Sequence, residues 1–145
     1  FLKQYNNRWF VFGLNELLEN PTWNMALDRI EEIMELTTPY RQGNINWDDY
    51  FSDIIGVTRF DGALEEVQLL FDPKRAKYVQ TKPLHESQKE STTEEGLLVR
   101  LQVVPNPELE QVILSFGEEV KVLKPLKLKA RINDRAKKMQ ELYSE

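Results

Sequence analysis

The 145-residue chain has no cysteine and one histidine, His85. Without cysteine there is no disulfide, no thiolate metal site and no thiol nucleophile. The composition fits a reducing compartment, so the cytoplasm is the expected location. One histidine cannot build a histidine metal site or a catalytic triad without partners at spacings that do not occur here, so His85 reads as an imidazole with a structural hydrogen bond. The 6 glycines are scattered, with no GxxxxGK or GxGxxG loop to cradle a phosphate. The pairs Asp48/Asp49, Glu31/Glu32 and Glu118/Glu119 are neighbours in sequence, and neighbours point apart, which makes them poor acid–base dyads. No enzymatic activity and no cofactor or metal are expected. No run approaches the roughly 20 apolar residues that cross a bilayer, so no membrane partner is expected. The chain starts at Phe1 with no charged-then-apolar leader and reads as a piece of a longer protein, with a segment missing upstream.

What is present is a core-forming composition, 41% hydrophobic and 30% charged. The net charge of −5 hides an asymmetry. Residues 1–66 carry 5 basic and 12 acidic side chains, whereas residues 67–145 carry 14 and 12. The basic surplus of a whole-domain DNA reader is absent, so any anion site must be local.

The pattern predicts an α+β chain in two parts, residues 1–60 and 61–145. In the first, Lys3–Tyr5 and Arg8–Leu14 form a hairpin around Asn6-Asn7, which supply the positive φ of a tight turn. Thr22–Leu27 alternates as a strand, Ile30–Leu36 continues as another, and Asn46 caps a helix over Trp47–Ile55. Consecutive short strands suggest a small, strongly bent barrel, partial here because such barrels need about five strands. In the second part, "VQLLFDPKRAKYV" (67–79) aligns with "LQVVPNPELEQVI" (101–113). Each is a strand, an Asp-Pro or Asn-Pro cap, then a helix. With strands over His85–Ser91 and Val120–Leu123, the order is that of a ferredoxin-like βαββαβ domain. A last helix, Pro125–Tyr143, carries Leu128, Ile132, Met139 and Leu142 on one side and basic residues on the other. That basic side reads as a solvated face or as a contact for nucleic acid or an acidic partner.

The opening strand poses a choice. Phe10, Phe12 and Leu14 share one side and Trp9 and Val11 the other, beside Lys3, Tyr5 and Arg8. The second apolar side either stacks a base next to phosphate-gripping cations, or packs under the helix or against a second subunit.

"LKQYNNRWFVFG" resembles the signature segment of the WYL-domain family, and "NMALDRIEEI" its next motif. "YFSDIIGV", "PLHESQ" and "ILSFGEEVKVLKP" are similar to the spacer and C-terminal extension of WYL-domain proteins. The resemblance implies the C-terminal part of an Sm/SH3-like WYL domain plus its ferredoxin-like extension. That would be the ligand-sensing and dimerising portion of a bacterial transcription regulator. The operator DNA would be read by an absent N-terminal domain, and the effector would be single-stranded DNA or another oligonucleotide. On this reading Lys3, Arg8 and Arg29 hold phosphates and Tyr5 or Trp9 stacks a base; Arg29 could instead pair with Asp28 or Glu31. Phe10 stands where the family has Tyr, and Ala26 where many members have Arg. The alternative is a protein–protein interaction module without a small ligand.

Overall fold

The computed structural model describes residues 1–144, which divide into two compact units, one over Phe1–Ser52 and one from Asp53 onward. The first holds strands β1 (Leu2–Tyr5), β2 (Arg8–Asn15) and β3 (Asn20–Ala26) and a short helix, α1 (Trp47–Phe51). Asn6 and Asn7 both take left-handed φ, 48° and 61°, which joins β1 to β2 by the tight turn that their side chains tolerate. The antiparallel order is β1-β2-β3, with an irregularity between Gly13 and Asn15. β1 and β3 are both edges, and no closed barrel forms among the described residues; three strands are too few to curl round on themselves.

The core of this unit is aromatic. Phe12 is buried, with Phe51 5.0 Å and Trp47 5.5 Å away between ring centres, both edge-on, and Phe1 stacks on Trp47 at 5.2 Å. Asn46 caps α1 by accepting from Asp48 and Asp49 N–H. The expected helix to Ile55 stops at Phe51, and Ile54 and Ile55 are buried in the other unit. The expected strand Ile30–Leu36 is absent, and residues 31–36 are exposed without regular structure. Apolar residues at 30, 33, 34 and 36 do not alternate, so a strand there would have no single face to bury.

The second unit holds β4 (Glu65–Phe71), α2 (Pro73–Thr81), β5 (Lys89–Thr92), β6 (Leu97–Val103), α3 (Pro107–Ser115), β7 (Val120–Lys124) and α4 (Leu126–Leu142). Its sheet is antiparallel throughout, in the order β5-β6-β4-β7. Alternation along β4 and β6 buries Val67, Leu69, Phe71, Leu97, Val99 and Leu101 on one face, against Val79 of α2 and Leu109 and Ile113 of α3. Each large apolar side chain so buried is worth about 1.5–3 kcal/mol. Both Pro-led helices start as their sequences require: Asp72 accepts from Lys74 N–H at 2.8 Å, and Asn106 from Leu109 N–H at 2.9 Å.

The unit begins at Asp53, ahead of the expected boundary near residue 60, and this segment is hydrogen-bonded to Val104, just after β6, and to α3. Val104 N–H donates to the Asp53 carbonyl at 2.7 Å, and the Glu108 carboxylate accepts from Thr58 N–H and, at 2.6 Å, from its hydroxyl. Gly56 makes the approach possible: its φ is +85°, and a Cβ there would lie 2.6 Å from Glu108 Cγ. Strand β5 starts at Lys89, later than expected. The His85 ring forms a turn instead, with Ser87 N–H donating to Nδ1 and the Ser87 hydroxyl 2.8 Å from it.

Candidate functional site

The five residues singled out in the first unit do not form one cluster. Strand pairing sets Lys3 opposite Phe10 and Tyr5 opposite Arg8, so Lys3, Tyr5 and Arg8 share a face with Phe10 and Phe12. Trp9 pairs with Gln4 and lies on the other face with Val11 and Met25, about half exposed. A base stacked on Trp9 would therefore be separated by the sheet from the cations meant to hold its phosphate.

The cations are also partly committed. Arg8 Nε and one terminal nitrogen donate to the two Asp28 oxygens at 2.9 and 2.8 Å, a bidentate pair between β2 and the short turn Leu27–Arg29. The hydrogen bond to Asp28 raises the Arg8 pKa, and the reciprocal bond, with the charge attraction behind it, holds the Asp28 carboxyl below the usual aspartate value. Lys3 lies over the Phe51 ring, 4.2 Å from its centre; burial lowers its pKa, opposed by the charge of Asp48. Arg29 is exposed and makes no salt bridge or side-chain hydrogen bond among the described residues, but its charge adds, as the smallest contribution, to the lowering of the Asp28 pKa.

A depressed carboxyl favours the folded state above the ordinary aspartate pKa, and that contribution is lost as pH falls through the lower, folded value. In a carbon-detected titration Asp28 is expected to protonate below ordinary aspartates and to return to their range in Arg8→Gln. An unchanged Asp28 midpoint in that variant would show that the pair does not persist in solution. Both groups are solvent-exposed, so little change in melting temperature accompanies the shift.

The second unit offers a different kind of surface. The end of α3, strand β7 and helix α4 enclose an apolar groove of about 450 Å³, lined by Ile113, Leu114, Val122, Ile132, Ala136 and Met139. Helix α4 is held over α3 by Arg131 and Arg135, which donate to the two Glu110 oxygens at 2.6 and 3.2 Å. Beyond Leu128, which is fully buried, the apolar stripe of α4 runs out into the groove and then into solvent, with Met139 and Leu142 exposed. Glu118 and Lys129 also line the groove; both are exposed, and neither is ion-paired among the described residues. No group of three or more His, Cys, Asp or Glu among the described residues could hold a metal, and no helix among them is long and apolar enough to cross a membrane.

This sheet, the groove and all but the last two residues of α4 fall within residues 63–140, which match the WCX domain. The chain belongs to the WCX domain family. No curated protein matches it. The match corrects the expected assignment: the family named is WCX, not WYL. The transcription-regulator, DNA-binding and ligand-sensing roles drawn from the WYL resemblance lose their support with it.

Within the WCX domain, the groove is half legible in the sequence. The residues Ile132 and Met139 stand out as an apolar stripe on α4. Its other wall, Val122 and the end of α3, is brought alongside only by the β4–β7 pairing and the Glu110 clamp. The fully buried Asn106 is recognisable as a helix cap from its Asn-Pro pair, and its second role appears only in the structure. Its Nδ2 donates to the carbonyls of Ile55 and Thr58 at 2.7 and 2.8 Å.

Proposed function

We propose that the WCX unit is a non-enzymatic interaction module that pairs two copies of the chain through the α3–β7–α4 groove. The observation that supports this is the groove itself, an apolar concavity of about 450 Å³ continuous with the exposed apolar end of α4. Apolar surface left open in this way is the usual mark of a protein contact. A second copy is favoured because the groove lining carries charge of both signs, the anion Glu118 and the cations Lys121 and Lys129, none of them ion-paired among the described residues. In a two-fold contact the same patch meets itself, so each charge can face its opposite. The βαββαβ order, with both connecting helices packed on one sheet face, further supports a ferredoxin-like reading of this unit.

Sedimentation of the chain is expected to show a concentration-dependent dimer. Ile132→Glu places a carboxylate on the groove wall and is expected to give monomer with the fold intact by circular dichroism, since Ile132 is only half buried. A wild-type chain that stays monomeric at every concentration would overturn the proposal.

A further inference from the structure

We propose that the second face of the WCX sheet, the one without helices, docks an acidic, extended segment of a partner protein that also carries aliphatic side chains. The register fixes what this face displays. Lys89 pairs with Arg100, Arg100 with Gln68, and, across an irregularity in the β4–β7 ladder between Gln68 and Leu69, Gln68 with Lys124, so the row across the four strands carries three cations. The adjacent row is Ser91, Leu98, Leu70 and Lys121. Paired residues on neighbouring strands point to the same side, and these rows alternate with the buried set that faces α2 and α3. No side chain in either row is fully buried.

The cations are unspent. Arg8, Arg59, Arg75, Arg131 and Arg135 each hold a carboxylate. By contrast Lys89, Arg100, Lys121 and Lys124 are in no ion pair among the described residues. Arg100 instead donates to the Ser91 hydroxyl at 3.1 Å, which keeps its guanidinium along the face. Glu66, the one carboxylate that the register adds to this face, is at the far end of β4 and accepts from Gln68 at 2.6 Å. Like charges on adjacent strands repel and weaken a sheet, a cost that an anionic partner removes.

The face also selects among anions. It carries no aromatic side chain in either row, so it offers no platform on which a base can stack, the main source of affinity for single-stranded nucleic acid. Leu70 and Leu98 beside the cationic row suit a peptide that alternates acidic and aliphatic residues. The four-strand row, roughly 14 Å across, spans about four residues of extended chain.

The test uses the full chain and a fluorescent peptide of alternating glutamate and leucine, with single-stranded oligothymidylate as the second probe. Saturable peptide binding is expected at low salt, weakening as ionic strength rises to about 0.3 M. Lys89→Gln with Lys124→Gln is expected to weaken it about tenfold or more. Lys124→Gln alone, at an exposed edge position outside the groove, gives a smaller loss and serves if the double variant fails to fold. Lys74→Gln with Lys77→Gln, on α2, is expected to change nothing. Absence of saturable peptide binding, equal loss in the α2 variant, or tighter binding of oligothymidylate would each overturn the proposal. Dimer formation is not required for any of these outcomes.

Discussion

Asn106→Ala is expected to destabilise the second unit by about 3–5 kcal/mol, seen as a lower denaturation midpoint with an unchanged slope. The side chain makes three hydrogen bonds while 1% exposed. Its Oδ1 caps α3, and losing a cap costs about 1 kcal/mol. Its Nδ2 satisfies two carbonyls, of Ile55 and Thr58, and each buried carbonyl left unpaired costs about 1–3 kcal/mol. Asn106→Asp separates the roles. Aspartate caps helices as well as asparagine does, so a capping residue alone would tolerate it. Here the new oxygen would face two carbonyl oxygens, and the Asp variant is expected to lose at least as much stability as Ala. A near-neutral Asn106→Asp would show that the link to residues 55–58 is not made in solution.

Gly96→Ala is expected to be comparably severe, about 3–5 kcal/mol. Gly96 precedes β6 with φ +147°, which a side-chain-bearing residue rarely adopts, and a Cβ there would lie 2.1 Å from the Phe71 carbonyl oxygen. That oxygen is backbone, on a strand paired residue by residue with β6, so it cannot swing aside as a flexible side chain would. The local turn is tied down as well: Thr93 N–H and its hydroxyl both donate to the Gly96 carbonyl, at 2.8 and 2.9 Å. Relief therefore requires the β4–β6 end to part, which hydrogen exchange should report as lost protection at the Phe71–Leu97 end of that ladder. A variant with wild-type protection there would contradict the close approach.

Local chemistry is readable from the sequence. The Asn6-Asn7 turn, the Asp72-Pro73 and Asn106-Pro107 caps and the buried faces of the two repeat strands each depend on a few neighbouring residues. What the sequence hides is non-local. Arg8 meets Asp28, twenty residues on, through the β2–β3 pairing, and no local pattern announces that partner. Trp9 and Arg8 are adjacent, and in a strand adjacency means opposite faces, so a site using both conflicts with the alternation that makes the strand. The helix after Asn46 looks longer in sequence because Ile54 and Ile55 continue its apolar spacing. Their burial instead belongs to the segment bound to Asn106 and Val104. The cationic row needs four strands in register before Lys89, Arg100 and Lys124 can be seen together.

Sedimentation velocity of a charge-exchange series tests the pairing of two WCX units most directly. Glu118→Lys or Lys129→Glu alone sets like charges against each other across a two-fold contact, and each is expected to shift the chain toward monomer. The two together restore opposite charges, and the dimer is expected to return. If the double variant is no more associated than the singles, or all three sediment as wild type does, the groove is not where two copies meet.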